Sequence, residues 1–332
     1  MNKILCSTKG EPDPETEEPK KSDIEPKHIK KRPPASLIRK EKGTDFENPR
    51  LRDVIVNESV TNELEQIING IVHRDVFEVM GTKPGQIYVF SGPPGTGKTM
   101  AAKAIRNEIY AMTQRVWWEE YNIGDHGTAY INMGAKNLRK LYDNVIAQVT
   151  QDDRIGIVFH DEIDVLLGAR GNIHASKEDD KITNEAMKIW QELQDSFPNV
   201  YVFGATNYPE AIDKAAMRSG RVDKHVKFSL PCYEERKKGF ILYANKVNEA
   251  SMYKPFVDLD YDMLARESDG CNFADISQCI KNAVNTRAND FINESEGLQK
   301  ITRPPFMNTQ YVLDSLEKIM SGKERKNKMG FV

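Results

Sequence analysis

Apolar residues recur along the central part of the chain with two alternating spacings. Short β-type runs occupy residues 86–90, 155–159 and 200–203. Helical spacing of apolar residues, or a high content of helix formers, marks the segments around them, as at residues 60–79 and 100–111. Strands that alternate with helices are typical of a parallel sheet. The pattern therefore predicts an α/β fold in which a parallel sheet is sandwiched by helices.

The pattern changes after Pro231, where helical segments follow one another without an intervening β-type run. The predicted helices cover residues 234–247, 261–266, 273–292 and 311–320. These segments predict a small all-α subdomain after the sheet. The expected boundaries are a large α/β subdomain at 46–230, the helical subdomain at 231–322 and a basic C-terminal tail at 323–332.

Residues 1–45 differ in composition from everything that follows. Seven acidic residues lie between Glu11 and Glu25, and seven lysines and arginines lie between Lys27 and Lys42. Few apolar side chains are available to bury, so we expect a disordered charged arm. The run Lys30-Lys31-Arg32 is either a nuclear signal, a docking patch for an adaptor, or part of a solvated tail, and the last interpretation is favoured.

Composition narrows the classes of protein that are compatible with this chain. A net charge of −3 gives no bulk attraction to nucleic-acid phosphates, so nucleic acid is not an expected partner. The sequence contains neither an apolar run long enough to span a membrane nor an apolar stretch typical of a secretion signal. Its four cysteines form no CxxC pair, and no HExxH is present, which argues against a zinc protease. A cytoplasmic protein with reduced thiols is expected, with the nucleus or an organelle interior left open.

A phosphate-binding loop follows the first β-type run and precedes a predicted helix. It consists of Gly92, Pro93, Pro94, Gly95, Thr96, Gly97, Lys98 and Thr99. Glycines let backbone N–H groups turn toward phosphates, and the positive end of the following helix adds to their field. Lys98 is placed to reach the β- and γ-phosphates, and the Thr99 hydroxyl suits Mg²⁺. We include Met100, the next residue, among the expected nucleotide contacts.

Two further polar groups follow apolar β-type runs. Asp161 and Glu162 come directly after residues 155–159; we assign Asp161 to the Mg²⁺ shell and Glu162 to the general base that polarises the attacking water. A solvent-facing turn is the alternative for this pair. Asn207 is expected to hydrogen-bond the γ-phosphate or the water, unless it only opens a turn. His160 is expected to be a packing residue.

The motifs GPPGTGKT, FHDEID, GATN and MRSGRVDK, in this order and spacing, resemble those of AAA ATPases. The group of katanin, spastin and the proteasomal and membrane-remodelling ATPases is the most similar, and the resemblance covers residues 46–320. It implies hydrolysis of ATP with Mg²⁺ in a homo-oligomeric ring, usually a hexamer, with the nucleotide between neighbouring subunits.

The resemblance also implies roles for residues outside the phosphate-binding loop. Arg221 corresponds to an arginine finger that reaches the γ-phosphate of the next subunit, where charge stabilisation is worth roughly 10³–10⁵ in rate. Lys224 stands where a second arginine is usual and is assigned a weaker catalytic role. The small helical subdomain is implied to be a lid whose turn at residues 270–275, including Ala274, contacts the adenine. Phe273 in this turn either packs on the base or fills the lid core, and the core is favoured.

A central channel is implied by the segment that precedes the helix resembling residues 136–145. Tyr130 and Ile131 occupy the positions of an aromatic and an apolar residue that grip an extended polypeptide substrate. The alternative is that Tyr130 packs under the loop. Residues 170–181 resemble a second channel loop or are a plain solvated loop.

These expectations favour a ring-forming ATPase that remodels, unfolds or disassembles proteins. An AAA-type loader or nucleotide switch that acts on a nucleic-acid or other macromolecular machine is the alternative. A binding scaffold without catalysis is disfavoured because the set of hydrolytic residues is complete.

Overall fold

A computed structural model describes residues 48–121, 134–168, 177–213, 216–217, 221–294 and 306–329. The predicted charged arm, residues 1–45, lies outside these ranges. None of the helices in the described part of the chain has the length and apolar character needed to cross a bilayer.

The described strands form one five-stranded parallel sheet with the order β2-β3-β4-β1-β5. Their bounds are β1 Ile87–Ser91, β2 Val116–Tyr121, β3 Ile155–His160, β4 Val200–Thr206 and β5 Lys224–Lys227. All four pairings between neighbouring strands are parallel. The central strands β1 and β4 are buried along their whole length, as expected for strands covered on both faces.

Two apolar cores lie on opposite faces of the sheet because alternate residues of each strand point to opposite sides. Ile87 and Val89 of β1 belong to one core, together with Trp190, whereas Tyr88 and Phe90 belong to the other. Helices α4 (Gly134–Asp152), α5 (Ile163–Leu166) and α6 (Lys177–Ser196) contribute to the first core, and α1 (Glu58–Val72) and α3 (Lys98–Thr113) contribute to the second. The short helix α2 (Arg74–Val79) follows α1.

The lid has a third core of its own, built from helices α7 (Tyr233–Ala250), α8 (Tyr261–Glu267), α9 (Phe273–Glu294) and α10 (Thr309–Met329). Phe240, Leu264, Ile276 and Val312 are buried in it. Cys271 and Cys279 are buried there as free thiols.

The predicted fold class is confirmed, with differences at several elements. The helix expected over residues 60–79 is two helices, because the chain leaves helical geometry at His73. Strands β2 and β5 are additional to the three predicted ones. The last helix continues to Met329, so the expected start of a tail at residue 323 falls inside α10.

Candidate nucleotide-binding site

The phosphate-binding loop connects β1 to α3 at the carboxyl edge of the sheet. Gly92 has φ 144°, and a Cβ atom there would lie 2.1 Å from the carbonyl oxygen of Phe228, so only glycine fits. Thr96 is buried, and its hydroxyl donates to the Pro93 carbonyl at 2.8 Å. Pro93 and Pro94 are exposed at the tip. The loop is therefore held by the Thr96 side chain and by close packing of Gly92 against Phe228.

Lys98 joins this loop to the end of β4. Its ammonium donates to the carbonyl oxygens of Gly92 and Pro93, each at 2.8 Å, and to Asn207 Oδ1 at 2.7 Å. The residue is only 7% exposed. Burial lowers the pKa of Lys98 below its ordinary value, and the Asp161 carboxylate offsets part of this effect. Two residues assigned to the same chemistry, Lys98 and Asn207, thus lie in direct contact.

An oxygen-rich position suits Mg²⁺ at the start of α3. Thr99 Oγ1 lies 3.4 Å from Asp161 Oδ2, and the Asp161 carboxylate is exposed. Hydroxyl and carboxylate oxygens are ligands that Mg²⁺ prefers, and Mg²⁺ usually keeps several waters beside one or two such ligands. The two residues therefore fit the metal, and Asp161 and Thr99 are the ones that would hold it.

Glu162 has an unusual backbone conformation for a residue with a side chain. Its φ of 51° and ψ of 48° place it in the left-handed region, and its amide donates to Asp161 Oδ1 at 3.0 Å. This conformation lets the chain turn sharply between β3 and α5, and it leaves Glu162 exposed at the mouth of the site. Left-handed residues with side chains cluster at functional sites, where the surrounding structure holds the strain.

A contact that sequence reasoning missed connects the end of β4 to α5, the short helix that follows β3. Thr206 Oγ1 donates to Asp164 Oδ1 at 2.5 Å and accepts from the Tyr208 amide at 2.8 Å. These bonds flank Asn207 on both sides and fix its backbone. The third acidic residue of FHDEID, Asp164, is the sequence feature that could have indicated this contact.

An apolar pocket of about 330 Å³ opens beside the phosphate-binding loop, between it and the lid. Its lining includes Ile55, Gly97, Met100, Tyr243, Phe273 and Ala274. The Phe273 amide donates to the Gly95 carbonyl at 3.0 Å, which ties the first turn of α9 to the loop. Met100 and Ala274 thus lie where a base attached to bound phosphates would be placed. Phe273 is also buried in the lid core, as favoured from the sequence.

Arg221 and Lys224 lie at the amino end of β5, whereas the phosphate-binding loop lies at the carboxyl ends of the strands. Arg221 is exposed. Lys224 pairs with Tyr88 in the sheet, and its ammonium donates to Gln66 Oε1 on α1 at 2.8 Å. The structure does not bring either residue to the loop of the same chain, and the catalytic role of each stays a prediction.

The predicted channel residues Tyr130 and Ile131 lie outside the described residues. The same holds for residues 170–176 of the second predicted channel loop, whereas residues 177–181 begin α6.

Residues 88–230 match the model of the family described as "ATPase family associated with various cellular activities (AAA)". The chain carries an AAA domain. The match begins in β1 and ends before α7, so the AAA domain contains Lys98, Asp161, Glu162 and Asn207. The resemblance inferred from the motifs is confirmed.

Curated relatives of this chain include a proteasome-activating nucleotidase of Archaeoglobus fulgidus, 32% identical over 208 residues that make up 62% of this chain and 48% of the relative. The 26S proteasome regulatory subunit 7 of Dictyostelium discoideum is 31% identical over 62% of this chain and 45% of its own length. The ATP-dependent zinc metalloprotease FtsH 2 of Phytoplasma mali is 28% identical over 76% of this chain and 36% of its own. The chain thus spans between about a third and a half of the length of these relatives.

Proposed function

We propose that this AAA protein hydrolyses ATP in a homo-oligomeric ring, a hexamer, and uses the energy to remodel protein substrates through a central channel. The observation that carries the proposal is the convergence of Lys98, Thr99, Asp161 and Asn207 at the carboxyl ends of β1, β3 and β4. That arrangement offers a cation, two metal ligands and an amide within a few ångströms of one another.

Each residue has a defined part in the proposed hydrolysis. Lys98 pairs with phosphate oxygens, Thr99 and Asp161 hold Mg²⁺, and Asn207 orients the γ-phosphate or the water. Mg²⁺, when bound, neutralises charge on the phosphate oxygens. Glu162 accepts the proton of the attacking water, and it is exposed at the mouth of the site, where water has access.

The relatives support a protein substrate. Their names include two proteasome-associated proteins and a protease, each of which acts on or with machinery that degrades proteins. A net charge of −3 supports the same choice over a loader that acts on nucleic acid. The buried free thiols of Cys271 and Cys279 fit a reducing compartment, and we place the protein in the cytoplasm or nucleus.

The test is the ATPase rate per subunit measured against protein concentration, with the mass of the protein followed in ATP. A steep rise as a hexamer-sized species forms is expected, because Arg221 is needed by the neighbouring subunit. Concentration-independent turnover by a monomer would remove the ring from the proposal and would favour a nucleotide switch.

Tyr130→Ala tests the channel separately. We expect it to leave ATPase turnover intact while it abolishes unfolding of a protein substrate, because the aromatic side chain is assigned to grip and not to hydrolysis. Substrate unfolding at the wild-type rate would contradict the role of Tyr130.

A further inference from the structure

Three polar side chains form a continuous hydrogen-bonded chain inside the core between the sheet, α4 and α6. Trp190 Nε1 of α6 donates to the Tyr142 hydroxyl of α4 at 3.2 Å, and that hydroxyl lies 2.7 Å from His160 Nε2 of β3. All three side chains are fully buried. His160 is buried, as expected of a packing residue, but it also makes a polar contact with Tyr142.

The direction of the hydrogen bonds follows from the chemistry of the groups. An indole N–H only donates, so the Tyr142 oxygen accepts from Trp190. In the Nε2–H tautomer of His160 the Tyr142 hydroxyl proton would have no acceptor among the described residues, so the network favours donation from Tyr142 to His160 Nε2 and the Nδ1–H tautomer. The His160 ring is buried in a core that is otherwise apolar, which favours its neutral form. Among the described residues, His160 Nδ1 has no hydrogen-bond partner.

The position of His160 connects this chain to the proposed reaction. It is the last residue of β3, and Asp161 and Glu162 follow it directly. The Tyr142 ring stacks on the His160 ring at 5.9 Å between centroids, and the Tyr121 ring meets its edge at 5.6 Å. The orientation of the His160 side chain, and with it the carboxyl end of β3, is therefore fixed from two elements.

Packing alone does not explain these residues. The surrounding core is apolar, and a fully apolar set of side chains would fill it without leaving a buried N–H group unpaired. Buried polar networks instead specify one geometry, because each hydrogen bond is lost when its partners move.

We propose that His160, held by Tyr142 and Trp190, is a positioning residue that sets the orientation of Asp161 and Glu162. The proposal rests on the ATPase activity proposed above. His160 does not contact the nucleotide; it acts through the two residues that follow it in the chain.

The first test is Tyr142→Phe in this chain, which removes one hydroxyl and keeps the ring. We expect kcat for ATP hydrolysis to fall about tenfold, with KM changed less than about twofold, since misplacing catalytic groups slows the reaction without weakening the phosphate-binding loop. Tyr88→Phe is the matched control. Tyr88 is also buried, and its hydroxyl donates to the Gly85 carbonyl at 2.5 Å at the other end of the sheet. Its kcat is expected to equal that of the wild type.

The second test does not depend on turnover. Side-chain ¹⁵N NMR of the histidines should show His160 as the Nδ1–H tautomer in the wild type and should lose this signature in Tyr142→Phe. A wild-type His160 in the Nε2–H form would overturn the proposed network directly.

The outcomes separate this inference from the proposed function. A wild-type protein without ATPase activity at any concentration would overturn both. An active wild type with Tyr142→Phe at full kcat would overturn only the positioning role, and so would an equal loss of kcat in Tyr142→Phe and Tyr88→Phe.

Discussion

At the scale of single residues, Glu162 combines a proposed catalytic carboxylate with a left-handed backbone. For an L-residue with a side chain this conformation costs about 1–2 kcal/mol. The residue between Asp161 and α5 must turn the chain, and glycine would do so without this cost. The proposed role of the Glu162 carboxylate in hydrolysis accounts for a glutamate at this strained position.

We therefore expect Glu162→Gly to be about 0.5–1 kcal/mol more stable than Glu162→Ala. Glycine relieves the backbone strain of about 1–2 kcal/mol in the folded state. This gain exceeds the roughly 0.4–1 kcal/mol of stability that glycine loses because it makes the unfolded chain more flexible. Neither variant is expected to hydrolyse ATP. Urea unfolding and ATPase assays measure both effects. The same pair of substitutions at Gln114, which has φ 58° at the end of α3, is the control: glycine should again be the more stable, with activity retained. Equal stability of the two Glu162 variants would contradict the claim that the backbone at this position is strained.

At the scale of elements, the start of β1 depends on a side chain from the turn before β5. Asp223 Oδ2 accepts from the amides of Gln86 at 2.8 Å and Ile87 at 2.9 Å, and Gln194 of α6 also donates to it at 3.2 Å. The Asp223 amide in turn donates to the Ile87 carbonyl at 2.9 Å. One residue thus joins β5, β1 and α6 at the amino end of the sheet.

Asp223→Ala leaves two buried backbone amides without their acceptor, and we expect it to lower the free energy of unfolding by about 3 kcal/mol. Asp223→Asn keeps one carbonyl oxygen for both amides and should lose only about 1 kcal/mol, the difference between a charged and a neutral acceptor. Denaturant titration of the two variants measures their free energies of unfolding, and Asp223→Asn is expected to be the more stable. An alanine variant as stable as the asparagine variant would show that water replaces the acceptor.

The sequence predicted the elements whose signals are local. The phosphate-binding loop, Asp161, Glu162 and the four lid helices follow from spacing within short windows. Strand β5 has only four residues, and the two adjacent tryptophans of β2 give no alternating pattern. Both segments form strands because they pair with neighbouring strands of the sheet, which a local pattern does not predict. The contact of Asp223 with Gln86 spans 137 residues. Such pairings depend on the folded sheet and leave no local pattern.

At the scale of the whole molecule, the two ends of the sheet carry different parts of the proposed reaction. The phosphate-binding loop, Asp161 and Glu162 follow the carboxyl ends of the strands, whereas Arg221 precedes β5 at the amino end. One chain therefore holds the nucleotide at one edge and presents its arginine at the other. A head-to-tail ring would bring the two edges of neighbouring chains together.

Mixing two inactive variants tests this arrangement. Arg221→Ala keeps its own site and lacks the arginine for its neighbour, and Glu162→Gln lacks the base and keeps the arginine. Each alone is expected to lose at least about a hundredfold in ATPase rate. A mixture should regain a substantial fraction of the wild-type rate, since some sites combine an intact Glu162 with an intact Arg221. No recovery in mixed rings of confirmed composition would contradict the proposed action of Arg221 on the site of a neighbouring subunit.

The contacts of Lys98 have a consequence for ligand selectivity. Its ammonium is already paired with the Gly92 and Pro93 carbonyls and with Asn207, so an incoming molecule must compete with three oxygens that the protein supplies itself. A phosphate group can win this exchange because it carries negative charge. A nucleoside has no group that competes for Lys98 and gains nothing from it, so we expect adenosine to bind far more weakly than ATP, although the apolar pocket lies beside the loop.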